Sequence, residues 1–150
     1  MGMFNRWARK LALVFILNLM GNYTQELANG FVDTSKVFTI ESSNNPKAYN
    51  KKSGAVGLGQ IVDIALKDYN ILNPKEQYTK EQLFDPKINT RVSTWMLEDR
   101  IPKMLKHFNI PITTENILWA YNAGIGNVVK GIKPQETVDY IEKYNSLTKE

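Results

Sequence analysis

The sequence predicts a mainly α-helical single domain, and three observations lead to this prediction. Apolar residues recur at three- and four-residue intervals in several segments, as on the buried face of a helix. No segment gives a convincing alternation of apolar and polar residues, which a half-buried strand would need. The 150 residues contain no repeat and no linker long enough to divide them, and they suffice for one domain with its own core.

The first two predicted helices cover residues 34–40 and 58–69. Asp33 precedes the first helix and is a suitable N-cap, since its carboxylate can accept a hydrogen bond from a free backbone N–H. Pro46 lies in the break that follows, because the residue before a proline avoids the helical conformation. Residues 70–79 are predicted to form a loop.

A longer helix is predicted to begin near Pro86, a residue that suits the first turn of a helix. Pro102 lies inside the same apolar pattern and predicts a kink or a break, because it has no N–H and crowds the preceding turn. Pro111 is predicted to stop the helix.

Two further helices are predicted, over residues 115–123 and 137–147. The first of them ends at Gly124, which is expected to adopt the left-handed conformation that often terminates a helix. Trp95 and Trp119 lie at core spacing and are not expected to act as sugar platforms.

The N-terminal 30 residues are predicted to be a separate segment, with the domain itself covering residues 31–150. Basic residues precede an apolar run at 11–20, which is too short to span a bilayer because that needs roughly 20 residues. This order is typical of a secretory signal peptide. The alternative is an amphipathic first helix packed on the domain, which the i, i+4 spacing of four residues favours: Trp7, Leu11, Phe15 and Leu19.

Composition excludes several kinds of site. The chain has no cysteine, so it has neither disulfides nor thiolate metal ligands. Its single histidine, His107, makes a Ser-His-Asp triad or a multi-histidine zinc site improbable and is expected to be a surface residue near a helix end. The net charge of +4 comes from dispersed lysines and arginines without a nucleic-acid-binding motif, so no nucleic-acid partner is predicted.

Glu41 is the strongest candidate for a catalytic acid. It lies at the end of the first predicted helix, in the run ESSNNP at 41–46. A carboxylic acid that donates a proton at neutral pH needs its charged form disfavoured, and burial among apolar groups does this. An acid at a helix C-terminus is also electrostatically misplaced, which argues against an ordinary surface glutamate.

Two more blocks follow Glu41 along the chain. The run SGAVGLGQ at 53–60 brings glycines, which let a backbone approach a ligand closely, and Gln60, which can both donate and accept hydrogen bonds. As a phosphate-binding loop this run fails, because it lacks the Gly-Lys-Ser/Thr ending. The second block is AYNAG at 120–124, with Glu136, Thr137 and Tyr140 beyond it.

These blocks, in this order, resemble the lytic transglycosylases, the lysozyme-like enzymes that cut the glycan strands of bacterial peptidoglycan. The resemblance covers about residues 31–144 and implies a lysozyme-like fold with Glu41 as acid and then base. It implies cleavage of the β-1,4 bond between N-acetylmuramic acid (MurNAc) and N-acetylglucosamine (GlcNAc), with formation of a 1,6-anhydro ring. Tyr121 is implied to assist, no metal or cofactor is implied, and six residues are implied to shape the glycan cleft: Ser42, Ser53, Gln60, Asn122, Glu136 and Tyr140.

Gly59 departs from the family pattern, which usually has methionine at this position. The missing side chain predicts a more open cleft floor. Leu83, Phe84, Asp85, Pro86 and Asn89 also resemble the family and are interpreted as scaffold.

Other functions stay open at this stage. A hydrolytic muramidase of the goose-type lysozyme kind would use the same acid with water as nucleophile, and a non-catalytic glycan-binding subunit would keep only the fold. Cleavage of peptide cross-links is disfavoured, since the sequence offers neither zinc ligands nor a cysteine nucleophile. The expected setting is the periplasm or cell envelope after export, or a phage virion. The expected protein is monomeric, with peptidoglycan strands and virion or secretion-apparatus proteins as candidate partners.

Overall fold

A computed structural model describes residues 31–147, and this part of the chain is mainly helical, as predicted. Its only β structure consists of isolated bridges that Val56 makes with Tyr49 and with Ile61. No helix within 31–147 has the length and hydropathy that a membrane crossing requires. The predicted N-terminal segment lies outside the described residues.

The helices are named here in chain order. They are α1 (Thr34–Ser42), α2 (Asp63–Leu72), a 3-10 turn (Glu81–Phe84), α3 (Pro86–Trp95), a π-helical turn (Met96–Arg100), α4 (Ile101–His107), α5 (Thr114–Ala123), α6 (Ile125–Val129) and α7 (Gln135–Ser146). Helix α5 packs against α4, α6 and α7, and α1 packs against α7.

The buried apolar side chains form two clusters. The larger cluster joins α1, α4, α5 and α7 and includes Val37, Leu105 and Ile117, each with no exposed surface. The smaller cluster lies between the turns around Val56, helix α2 and helix α3. Trp119 packs against the first cluster and Trp95 against the second, as their spacing predicts.

Helix α1 starts at the predicted cap and ends two residues later than predicted. Asp33 accepts a hydrogen bond from the backbone N–H of Ser35 at 2.9 Å. Ser43 ends the helix in the left-handed region, with φ of +53°. Glu41 therefore lies in the last helical turn, where the helix fixes its direction.

The prediction that the second helix begins at residue 58 is wrong. Residues 58–62 form tight turns, and α2 begins only at Asp63. Gly57 and Gln60 both have positive φ, of +75° and +50°, and Val56 exchanges two backbone hydrogen bonds of 3.0 Å with Ile61. Gly57 and Gln60 thus turn the chain back on itself, which an apolar pattern alone does not reveal.

Asn89, which is fully buried on α3, holds the turns at 56–61 in place through hydrogen bonds to the backbone. Its amide nitrogen donates to the carbonyls of Val56 and Leu83, both at 2.9 Å, and its amide oxygen accepts from the N–H of Gly59 at 2.8 Å. The interpretation of Asn89 as scaffold is confirmed.

Asn89→Ala is expected to lower the free energy of unfolding by about 3 kcal/mol. The substitution leaves three buried backbone groups without partners, and each such group costs roughly 1–3 kcal/mol. Urea unfolding followed by circular dichroism measures the change, with Asn145→Ala on the exposed surface of α7 as the control. A loss no larger than that of the control would contradict this role for Asn89.

The helix after Pro86 does not break at Pro102 but widens in the turn before it. The N–H of Ile101 donates to the carbonyl of Met96, five residues back, so one turn is π-helical. We attribute this wider turn to Pro102, which cannot donate the hydrogen bond of a regular helix. Helix α4 ends at His107, before Pro111, and His107 is exposed in its last turn, as expected.

The chain after α5 differs from the prediction. Gly124 has positive φ, +83°, but an extended ψ of 149°, so it is not the left-handed terminator that was expected. The short helix α6 follows at once and was not predicted, because five residues are too few to show a helical period. Helix α7 starts at Gln135, two residues earlier than predicted.

Candidate active site

A cleft of about 870 Å³ is lined by α1, the turns at 50–62, and helices α2, α4, α5 and α7. The fold brings six of the eight predicted site residues to its walls: Glu41, Ser53, Gln60, Tyr121, Asn122 and Glu136. Three separate stretches of sequence therefore meet at one surface.

Glu41 is the acid at the centre of this arrangement. Its pKa is raised from the ordinary 4.5 to about 7 as the combined result of burial, which raises it, an interaction with the Tyr140 hydroxyl, which lowers it, and the negative charge of Glu136, which raises it. Burial is the largest of these effects, since a carboxylate loses its hydration among apolar groups. Near neutral pH a substantial fraction of Glu41 therefore carries its proton.

Tyr140 lies behind Glu41 and is only 7% exposed, so it is not among the residues that line the cleft. Its hydroxyl makes no hydrogen bond of ordinary geometry within residues 31–147, although its interaction with Glu41 affects the pKa of both groups. We take the two groups to be near neighbours in imperfect alignment. Tyr140 is placed to contact the acid, and not the glycan as predicted.

Tyr121 lines the cleft from α5, and its hydroxyl donates to the carbonyl of Gly59 at 2.7 Å. Burial and the nearby Glu41 charge raise the pKa of Tyr121 well above its usual value. The phenol thus keeps its proton and ties α5 to the glycine turn. The hydroxyl lies near enough to Glu41 to be affected by its charge, while its hydrogen bond goes to the backbone.

The expectation that Gly59 opens the cleft floor is wrong. A β-carbon at this position would lie 2.8 Å from the Tyr121 hydroxyl oxygen and closer still to that of Ser93. Ser93 is fully buried on α3. The space that a side chain would need is occupied by these two hydroxyl groups, so glycine is required by close packing.

The remaining predicted residues divide between the cleft wall and the scaffold. Gln60 donates from its amide to the Gly57 carbonyl at 3.0 Å, and Asn122 accepts from the Thr137 hydroxyl at 2.7 Å. Ser53 and Glu136 are exposed at the cleft wall. Ser42 is not at the wall, and its hydroxyl donates to the Phe38 carbonyl of its own helix at 3.1 Å.

Sequence reasoning missed several residues of the cleft. Asp68 and Arg100 form an ion pair with two hydrogen bonds, at 2.6 and 3.2 Å, and Lys52 lies on the wall as well. Aliphatic and methionine side chains make up much of the rest: Ile61, Val62, Ile64, Ala65, Met96, Ile101, Met104 and Ile125. No motif marks these residues, because they come together only through the path of the chain.

The other acidic groups differ from Glu41 in their surroundings. Asp63, the nearest downstream acid in the sequence, is exposed outside the cleft and pairs with Lys80 at 2.8 Å. Asp68 is engaged by Arg100. Across residues 31–147 no group of three or more acidic, histidine or cysteine side chains is arranged to hold a metal ion.

Comparison with known proteins gives one family. A family model described as "Transglycosylase SLT domain" matches residues 34–143, which include Glu41, the glycine turn, the AYNAG block and Tyr140. Searches of curated proteins and of solved structures returned no match.

Proposed function

Because the chain belongs to the transglycosylase SLT domain family, we propose that it is a peptidoglycan lytic transglycosylase that acts through Glu41. Family membership supports a lytic transglycosylase-type action on peptidoglycan. The observation that carries the proposal is the position of Glu41 in the cleft, with burial raising its pKa to about 7. The bond cleaved is the β-1,4 linkage between MurNAc and GlcNAc.

In the proposed reaction Glu41 acts twice. Its proton passes to the glycosidic oxygen as the bond from that oxygen to C1 of MurNAc breaks. The resulting carboxylate then takes the proton of the MurNAc 6-hydroxyl, whose oxygen bonds to C1 and closes the 1,6-anhydro ring. The enzyme ends in its starting protonation state and no water is consumed. A pKa near the working pH suits a group that must both give and take a proton.

A single acid is favoured by the surroundings of the other carboxylates. Ordinary glycosidases need a carboxyl pair across the scissile bond. Asp68 is neutralised by Arg100, and Asp63 lies outside the cleft beside Lys80. Glu136 is exposed in the first turn of α7, and its charge adds to the effect of burial in raising the pKa of Glu41.

The proposed role is local opening of the cell wall. Peptidoglycan lies outside the cytoplasmic membrane, so we propose that the protein works in the cell envelope after export or from a virion. The basic and apolar residues at 6–20 support export.

Analysis of reaction products by mass spectrometry tests the proposal. Purified peptidoglycan treated with the protein is expected to release muropeptides that end in 1,6-anhydro-MurNAc. Reducing MurNAc ends would instead identify a hydrolytic muramidase, and the absence of glycan cleavage would leave a binding or structural role.

The pH profile gives a further prediction. The kcat/KM for glycan cleavage is expected to fall above about pH 7, approaching tenfold per pH unit, because free Glu41 loses the proton that it must donate. Removal of the neighbouring charge in Glu136→Gln should lower the pKa of Glu41 and move the midpoint to lower pH. A flat profile between pH 6 and 9 would contradict the role of Glu41 as acid.

A further inference from the structure

The outer face of helix α2 is apolar although it is exposed. Its residues Ile64, Ile71 and Leu72 are 77%, 63% and 51% exposed. Ile64 and Ile71 are seven residues apart and therefore lie on the same side of the helix, about two turns from each other. The buried residues of α2, Leu66 and Tyr69, belong to the smaller core cluster. Single exposed apolar side chains are common, whereas three on one short helix indicate an interaction surface.

This outer face is not covered by another part of the described chain. Within residues 31–147, no other helix packs closely along α2. The helix has ten residues, and a bilayer crossing needs roughly 20. A partner of α2 therefore contacts the helix along its side.

The charges around α2 leave an excess of positive charge. Each of the three acidic residues at 63–76 forms an ion pair with a basic residue, and the pairs are Asp63–Lys80, Asp68–Arg100 and Glu76–Arg91. Lys67 and Lys75 are exposed and have no ion-pair partner in the part of the chain that the structure describes. Lys67 lies between Ile64 and Ile71 on the outer face, since it follows Ile64 by three residues.

The partner that fits this face is both apolar and negatively charged. A hydrated polyanion would bind the lysines but would leave the aliphatic side chains in water. An anionic bilayer satisfies both kinds of residue, because aliphatic side chains enter the boundary between head groups and acyl chains while lysines stay among the anionic head groups. Amphipathic helices that lie in a bilayer interface have this combination of residues.

We propose that the outer face of α2 docks on an anionic lipid surface. Ile64, Ile71 and Leu72 enter the boundary below the head groups, and Lys67 and Lys75 bind the head groups. Binding is reversible, because three aliphatic side chains bury little area. Ile64 also lines the cleft, so docking places the cleft opening beside the lipid surface. This inference goes beyond the proposed function and does not depend on glycan cleavage.

A single fluorescent label tests the docking face in the full chain. The chain contains no cysteine, so Ile71→Cys provides one attachment site for a fluorophore whose emission depends on polarity. Its emission is expected to rise about twofold or more with vesicles of phosphatidylglycerol and phosphatidylcholine in equal parts, and to change little with phosphatidylcholine alone. Val129→Cys, at an exposed aliphatic position on α6, is the matched control and should change little with either.

The role of the lysines is tested in the labelled Ile71→Cys protein. With Lys67→Gln and Lys75→Gln added, the concentration of anionic vesicles that gives half of the emission change should rise about tenfold. The matched control adds Lys106→Gln and Lys130→Gln, which remove the same charge from exposed positions outside α2. An equal rise in both double variants would overturn the role of Lys67 and Lys75.

Other results would overturn docking itself. These are an unchanged emission of the label at Ile71→Cys, or an equal change at Val129→Cys, as attachment through another part of the chain would give. A change caused by soluble polyphosphate without lipid would replace the bilayer with a polyanion, and a change that grows with protein concentration without vesicles would replace it with a second copy of the chain. Analysis of peptidoglycan products is a separate measurement, so failure of docking leaves the proposed function intact.

Discussion

Glu41→Gln is expected to abolish glycan cleavage and, at the same time, to stabilise the folded protein above pH 7. The amide has nearly the same size as the carboxyl group but neither donates the proton that the leaving oxygen needs nor accepts the one from the 6-hydroxyl. General acid–base catalysis contributes roughly 10²–10⁴-fold, so a loss of about 10³-fold or more is expected. Release of 1,6-anhydro muropeptides measures it.

The stability effect follows from the same pKa. Burial raises the pKa of Glu41 from the ordinary 4.5 to about 7 in the folded state, so the folded protein prefers the protonated acid. The stabilisation of the folded state by the protonated Glu41 is complete below pH 4.5 and is lost as the pH rises through 7. A shift of one pKa unit corresponds to about 1.4 kcal/mol, and some contact with water reduces the total, so Glu41→Gln should stabilise by about 1–3 kcal/mol at pH 8.

Urea unfolding at pH 5 and at pH 8 measures this effect. The difference between the native protein and Glu41→Gln should be larger at pH 8. Glu142→Gln, on the exposed surface of α7, serves as the control and should show little difference between the two pH values. Cleavage that persists in Glu41→Gln would refute the catalytic role, and equal stabilisation at both pH values would refute the raised pKa.

Gly59→Ala is expected to have the second large effect, a loss of about 2–4 kcal/mol of unfolding free energy together with most of the activity. The added carbon would lie too close to the hydroxyl groups of Ser93 and Tyr121 and to the β-carbon of Ser93, so these side chains would have to shift. Overpacking of this kind typically costs 1–3 kcal/mol, and loss of the Tyr121 bond to the Gly59 carbonyl adds to it.

Gly126→Ala is the matched control for this substitution. Gly126 lies in α6 with nothing within 4 Å of an added β-carbon, so alanine there should be neutral or stabilising by up to about 1 kcal/mol. A second test is Ser93→Ala in the Gly59→Ala background, which removes the closest contact and should recover part of the stability. If Gly59→Ala unfolded at the same urea concentration as the native protein, the close packing at this turn would be disproved.

The helical class and most helices could be predicted from sequence because they depend on local patterns. Residues that are neighbours in the sequence determine the cap at Asp33 and the apolar periods of α1, α3, α5 and α7. Short elements could not be predicted from local patterns. The five-residue α6 has no measurable period, and the turns at 58–62 have apolar residues that fit a helix equally well.

The sequence by itself determined the identity of the candidate acid and the order of the motifs, since ESSNNP, the glycine run and AYNAG are local and specific. Only the tertiary structure decided what surrounds them. The pKa of Glu41 depends on burial and on Glu136 and Tyr140, about a hundred residues away in the chain. The need for glycine at position 59 arises from Ser93 and Tyr121, which lie on other helices. Burial, packing and charge act through space, so separations along the chain do not encode them.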